Sequence, residues 1–431
     1  MTTLADRRGV PVPSRVPIDV ARLFARGADP TRTAGLPEHL ARVGPLPLAA
    51  YPNRPGRDRL IETIARAGLR GRGGAGFPTA EKLAAVAAAK GRTVVVANGC
   101  EGDPTSAKDQ ALLARSPHLV LDGIAIAAHA VDAREAMLCV HRGSPLVDLL
   151  HAALDERTDD RVPVEIVEVP DRYVASEASA LVNFLTTGTA KPTTLRASER
   201  GVKGRPTLVD NVETLAHIAL VARFGGDWFR EAGTPESPGT LLVTVGGGVT
   251  RPGVYEVEAG LPLSDALELA GGEAEALQAV QIGGLGGSWL PVEDALELPL
   301  AHETCQDVGI PLGVAALVAL PARACGIAET ARVLAHLADE SAGQCGPCMF
   351  GLPAIADDMA ALSMGDGAVL GRLRSRLGVI PGRGACSHPD GAGRLAVTAL
   401  HSFAADVAAH ANGRPCAAAE GPFWTPIGVR P

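Results

Sequence analysis

The chain has 431 residues, with 48 Asp and Glu against 40 Lys and Arg, a formal net charge of −8, 46% hydrophobic and 3% aromatic residues, and eight cysteines. That length accommodates about two to four domains, and the acidic balance argues against general binding of nucleic acid or anionic membranes. The N-terminal Met1-Thr2-Thr3-Leu4-Ala5-Asp6-Arg7-Arg8 lacks the apolar stretch of a signal peptide, the Val308–Pro321 run is too short to span a bilayer, and the cysteines form no disulfide framework, so a cytoplasmic protein without direct membrane insertion is expected.

Residues 1–50, rich in Pro and Arg, read as an extended lead-in with a short helix candidate at Val20–Ala25. An α/β domain is expected over 51–235. It opens with a helix, Asp58–Ala67, that sets Leu60, Ile61, Ile64 and Ala65 on one face. Next comes Gly68-Leu69-Arg70-Gly71-Arg72-Gly73-Gly74-Ala75-Gly76-Phe77-Pro78-Thr79, five glycines in nine residues. Backbone free of Cβ can turn its N–H groups onto a flat or anionic ligand. The helical run Ala80–Lys90 follows directly, and its first N–H groups can receive phosphate. The G-x-G-x-x-G at Gly71, Gly73 and Gly76 follows a helix rather than a strand, which argues against a plain Rossmann site. The alternative is a mobile surface loop, and the Arg, Phe and Pro embedded among the glycines speak against it. Strands Thr93–Ala97, Ala136–Val140 and Val162–Val167 alternate with the helix Leu119–Val131, implying a mostly parallel sheet in which Pro163 suits a strand start or a sheet edge.

A small α+β domain is expected over 236–325, from strands Thr240–Val245, Pro252–Val257 and Ala279–Ile282 and the helix Leu263–Leu269. A helical domain is expected over 326–412, from Ala328–Leu337, Pro353–Leu362, Val369–Leu377 and Arg394–Ala409, with an irregular tail over 413–431. The C-x-x-C of Cys345 and Cys348 suggests metal or redox work in a reducing compartment. Cys139, Cys305, Cys325 and Cys416 read as small buried hydrophobes.

Five ordered motifs carry a family likeness over about 51–410: the Gly68–Thr79 stretch with Lys82; Asn98-Gly99-Cys100-Glu101-Gly102-Asp103-Pro104 with Lys108-Asp109; Tyr173-Val174-Ala175-Ser176-Glu177-Ala178; Pro206-Thr207-Leu208-Val209-Asp210-Asn211-Val212-Glu213-Thr214; and Glu340-Ser341-Ala342-Gly343-Gln344-Cys345-Gly346-Pro347-Cys348. The chain resembles the FMN- and NADH-binding flavoprotein subunit of respiratory complex I, shared with NAD-linked hydrogenases and formate dehydrogenases. The resemblance implies an α/β FMN-binding domain, then a β-grasp (soluble-ligand-binding) domain, then a C-terminal helical bundle.

It also implies that FMN is held by Gly71, Arg72, Gly73, Gly74, Gly76, Phe77, Lys82, Asn98, Glu101, Asp103, Tyr173, Glu177, Asn211 and Thr214, with Phe77 near the incoming nucleotide. Hydride would come from NADH or NADPH. Single electrons would leave through an iron–sulfur cluster on Cys345, Cys348 and Cys386 to a ferredoxin-like two-iron partner, within a larger redox complex in some settings. Other readings stay open. Tyr173 also suits ordinary packing, Asn98 the end of a strand, and Asp210 the N-cap of a helix with Glu213 three residues on.

Several positions depart from the family pattern. Cys100 and Ala178 replace carboxylates, Ser176 replaces a glycine, and Arg196 stands about where an adenine-stacking aromatic is expected. Ala342 replaces the first cluster cysteine, leaving three of the four thiolates a cubane cluster needs. His388, Ser341, a small molecule or a cysteine from elsewhere could complete the set. The alternatives are an incomplete cluster, a Cys3His zinc site at Cys345, Cys348, Cys386 and His388, or a non-catalytic scaffold that keeps only the fold.

Overall fold

The computed structural model describes residues 21–24, 32–157 and 162–416. The first layer is a four-stranded, all-parallel sheet of β1 (Val94–Asn98), β2 (Ala136–His141), β3 (Val164–Val169) and β4 (Thr207–Asn211), in the order β3-β2-β1-β4. Side chains alternate across a strand. Val95 and Ala97 therefore join one core, under the helices Asn53–Ala67, Pro117–Ala130 and Val212–Phe229. Val94 and Val96 join the opposite core, with Leu181 and Val182 of the Ala178–Thr187 helix. Burial on both faces is why β1 reads as an unbroken apolar run. Two helices approach so closely that a Cβ on Gly123 would lie 2.0 Å from the Leu215 carbonyl oxygen.

The second layer is a mixed five-stranded sheet of β5 (Thr240–Gly247), β6 (Gly253–Glu258), β7 (Leu277–Ile282), β8 (Ser288–Pro291) and β9 (Ala316–Pro321), in the order β6-β5-β9-β7-β8. Helices Gly326–Asp339, Leu352–Ser363, Leu370–Leu377, His388–Ser402 and Ala404–Ala411 form the third part. They dock on β8, where the Trp289 and Phe403 rings meet edge-on at 5.4 Å and Trp289 N–H donates to Thr398 Oγ1 at 3.0 Å.

Several expectations need correction. The lead-in is not wholly extended, since Leu36–Val43 is a helix and Pro47–Ala50 a 3-10 turn. Arg22–Phe24 bend rather than form a helix, because the N–H groups of Arg22, Leu23 and Phe24 all donate to the Glu256 carboxylate at 2.9–3.1 Å. Val20 and Ala25 lie outside the described residues. The expected Arg394–Ala409 helix breaks at Phe403, whose φ of −109° ends the first segment. Lys108–Arg115, β4, β8 and β9 were not foreseen as elements, and of the Val212–Phe229 helix only the start was. The helix cap falls on Asn211 rather than Asp210, since the Asn211 side chain accepts from Glu213 N–H while the Asp210 carboxylate pairs with Lys82.

Candidate functional site

The glycine stretch is a closed loop with an exposed crest. Gly71 N–H donates to Phe77 O at 2.8 Å and Thr79 N–H to Leu69 O at 3.0 Å, pinning its base. Gly74 and Gly76 take φ of +108° and +61°, a region side chains disfavour. Gly73 and Ala75 are exposed, and the N–H groups of Gly73, Gly74, Ala75 and Gly76 have no hydrogen-bond partner among the described residues. Phe77 beside them is 48% exposed. Successive free N–H groups on a turn make an anion-binding concavity.

Elements behind the loop hold it rigid. Arg72 N–H donates to Thr214 Oγ1 at 2.8 Å, and Thr214 is fully buried in the first turn of the Val212–Phe229 helix. The Arg72 guanidinium points inward and donates to Thr240 O at 2.9 Å and Pro238 O at 3.3 Å, with burial pulling its pKa down. Arg72 and Thr214 therefore brace the crest from behind. Asn211 caps the helix through Glu213 N–H at 3.0 Å, and its Cβ would lie 3.4 Å from a Cβ on Gly73. Lys82, 30% exposed, donates to Asp210 Oδ1 at 2.6 Å and Val209 O at 3.0 Å.

A buried charge cluster that sequence reasoning missed underlies Asn211. Lys108 Nζ lies 2.6 Å from Asp109 Oδ1 and 3.0 Å from Glu213 Oε2, with all three residues at most 4% exposed. Asn211 Nδ2 donates to Asp109 Oδ2 at 2.7 Å, and Leu242 N–H to Glu213 Oε1 at 2.9 Å. Burial alone would lower the Lys108 pKa, but Asp109 and Glu213 raise it above the ordinary lysine value. The adjacent Lys-Asp pair was the only signal in the sequence.

The remaining side chains named for the flavin are engaged within the protein. Asn98 Nδ2 donates to Ser176 O at 2.8 Å. Glu101 caps the Lys108–Arg115 helix, accepting from Asp109 N–H at 3.3 Å and Gln110 N–H at 3.2 Å; burial, then the Asp109 charge, raise it to about 7. Asp103 accepts from Thr105 N–H at 3.0 Å, Leu285 N–H at 2.7 Å and Tyr173 O–H at 3.4 Å, which ties the first layer to the β7–β8 turn. Tyr173 N–H in turn donates to Glu340 Oε2 at 2.9 Å. Glu177 caps the Ala178–Thr187 helix through Ala180 N–H at 2.9 Å. Cys100 is buried among Val94, Val96 and Cys139, and desolvation drives its thiol pKa up.

In the helical part, Cys348 lies in a π-helical turn, Pro347–Gly351, a rare geometry frequent at functional sites. Burial, then the Cys345 thiol, raise Cys348 to about 11. Although burial opposes it, hydrogen bonds from Ala385 and Cys348 hold the Cys345 thiol below its ordinary value. The Cys386 thiol is raised by burial, with the Cys345 charge also acting on it. Ala342 is 6% exposed, so a methyl occupies the fourth-cysteine position. His388 Nε2 is taken by Leu337 O at 2.7 Å, and Cys345, Cys348 and Cys386 are not among the described groups with three ligand atoms within 4.8 Å of one another. That spacing disfavours the Cys3His zinc reading; a multi-iron cluster spreads its ligands more widely. Among the described residues no single helix is long and apolar enough to cross a membrane.

The parallel sheet, the glycine crest and the cysteine-bearing bundle define a flavoprotein subunit of the complex I type. Residues 64–220 match the Nuo51 FMN-binding domain, 242–288 the SLBB domain, and 328–410 the NADH-ubiquinone oxidoreductase-F iron–sulfur binding region. An NADH-quinone oxidoreductase F subunit of Rhizobium meliloti is 30% identical over 381 residues, spanning 83% of this chain and 90% of the relative. The NADH-quinone oxidoreductase F subunit of Mycobacterium tuberculosis is 32% identical over 386 residues, spanning 83% and 86%. A solved NAD+-reducing [NiFe]-hydrogenase in the air-oxidized state superposes with a TM-score of 0.78 at 30% identity, over 88% of this chain and 67% of that one. The chain belongs to the family of NADH-quinone oxidoreductase F subunits.

Proposed function

We propose that the crest of Gly73, Gly74, Ala75 and Gly76 grips FMN through its unpaired N–H groups, with Lys82 and the Asn211-capped helix supplying positive potential beside it. The chain is an FMN-dependent oxidoreductase subunit of the NADH dehydrogenase type, moving electrons from NADH through FMN to iron–sulfur. The residues present fit the flavin, because four successive N–H groups without partners among the described residues lie on a glycine loop whose Gly74 and Gly76 take positive φ. When bound, FMN accepts hydride from NADH and delivers electrons singly.

The protein's own contribution is position and field. Phe77, half exposed at the loop edge, offers a ring face to the nicotinamide nucleotide. Arg196, whose side chain is 81% exposed, is available to stack on adenine or pair a 2′-phosphate. Thr214 braces the loop from behind, Asp103 and Tyr173 tie the first layer to the second sheet and the helical part, and Asn98, Glu101 and Glu177 fix the segments around them. Cys345, Cys348 and Cys386 would hold the cluster, and a non-cysteine group would take the position at Ala342. Beside them, Met349 at 53% and Phe350 at 71% exposure suit contact with a ferredoxin-like partner inside a larger redox assembly.

The free N–H groups on the crest carry this reading. Its test is FMN titration of the purified chain beside Gly74→Val, where a side chain meets φ of +108°. Tight binding that the variant loses supports the assignment, and equal binding refutes it. One observation favours the scaffold reading, namely that the polar side chains named for FMN already have protein partners; it predicts a colourless protein with no NADH-dependent reduction of artificial acceptors.

A further inference from the structure

Three side chains that neither the flavin site nor the cysteine pair uses meet inside the helical part. Cys325 sits at the N-cap of the Gly326–Asp339 helix, its Sγ accepting from Ala328 N–H at 3.5 Å. His410, fully buried, lies in the last turn of Ala404–Ala411, and Cys416 follows beyond it. Cys325 Sγ is 3.6 Å and Cys416 Sγ 3.2 Å from His410 Nε2, and all three ligand atoms lie within 4.8 Å of one another. Cys325 lies in the apolar core with Cys416 packed against it, as expected of small hydrophobes, but both sulfurs also face His410.

The tautomer of His410 is fixed by its other nitrogen. Nδ1 lies 3.2 Å from Leu362 O, and a carbonyl can only accept, so Nδ1 carries the proton. The Nε2 lone pair consequently faces both sulfurs, and the Cys416 N–H, 3.1 Å away, points at that same lone pair. An imidazole oriented by a backbone carbonyl, with two thiols at its other nitrogen, supplies three of the four ligands of a tetrahedral zinc and leaves the fourth position to water.

We propose that Cys325, His410 and Cys416 bind one divalent zinc ion, separate from the Cys345, Cys348 and Cys386 site. Zn–S bonds of roughly 2.3 Å and a Zn–N bond of roughly 2.0 Å at tetrahedral angles place S and N about 3.5 Å apart, close to the 3.6 Å of the Cys325–His410 pair. Two thiols lose their protons to solvent as two Zn–S bonds form, no electron moves, and two thiolates neutralise the cation in the interior. The ion would staple the segment at Cys416 to the start of one helix and the end of another.

The test removes the competing thiols first. The full-length Cys345→Ser/Cys348→Ser protein, expressed with added zinc and purified without air, is assayed by elemental analysis, and after chelation it is titrated with cobalt(II). About one zinc per chain and sulfur-to-cobalt charge-transfer absorption are expected, both lost on adding Cys416→Ser or His410→Asn in protein with native circular dichroism. Absence of zinc and of the cobalt bands in the parent overturns the proposal, whatever the variants do. So does metal retained in either added variant, or a Cys325–Cys416 disulfide found by mass spectrometry.

Discussion

Lys108→Met tests whether the charge cluster beneath the crest holds the site together. Methionine keeps the length of the side chain and deletes the ammonium that lies 2.6 Å from Asp109 and 3.0 Å from Glu213. At an effective dielectric constant of about 20, each of those pairs is worth roughly 6 kcal/mol before desolvation. The loss is capped, because one proton shared between the stranded carboxylates relieves them, and protonating an ordinary carboxylate at pH 7 costs about 4 kcal/mol. The expected destabilisation is therefore about 4 kcal/mol, within the range of about 3–5 kcal/mol for breaking a buried pair. The sign with pH distinguishes this mechanism from simple misfit. The Lys108 pKa is raised, so its contribution is whole below the ordinary lysine value and fades only as alkaline pH passes the raised one. The variant, which must take up a proton, instead regains stability as pH falls from about 8 to about 5. Urea unfolding followed by circular dichroism across that range, with Lys108→Met/Glu213→Gln as a partial rescue, measures both. A loss below about 1 kcal/mol, or a deficit that does not change with pH, refutes the reasoning.

Other outcomes follow from single contacts. Ala342→Cys completes a four-thiolate set and should raise iron content and air stability of the visible absorption, measured by iron assay and spectroscopy; unchanged iron contradicts the cluster assignment. Glu101, raised to about 7, is stabilising when protonated and loses that contribution as pH rises from its ordinary value near 4.5 through about 7, so Glu101→Gln should flatten the thermal stability profile in that window. Phe77→Ala should raise KM for NADH more than it lowers kcat in steady-state assays, because the half-exposed ring is placed to bind the nucleotide rather than the reacting atoms. Gly102→Ala puts a Cβ 2.5 Å from the Tyr173 carbonyl oxygen and should cost on the order of 1–3 kcal/mol in urea unfolding.

The crest was legible in the sequence because glycine adopts the positive φ at Gly74 and Gly76 without the strain other residues meet there, and glycine density exposes that need. Strands β1 and β2 were legible because burial on both faces leaves a continuous apolar run. Strand β4 was not, since it ends on Asp210 and Asn211, polar residues whose partners are Lys82 and Asp109. Lys108 reads as a surface charge until Glu213, far along the chain, is brought to 3.0 Å. Arg72 and Thr214 carry the right motif letters, and both are buried with hydrogen bonds made inside the protein, contacts that the letters alone do not reveal. Cys325 and His410 are 85 residues apart, and no local pattern announces a meeting that only helix packing creates. The Leu36–Val43 helix was obscured by the prolines around it.

Flavin retention by the unmodified chain tests the central claim most directly. Protein incubated with excess FMN and desalted should carry about one flavin per chain, with yellow absorbance that bleaches on anaerobic addition of NADH. Protein that elutes without flavin under those conditions contradicts the account, whatever its fold.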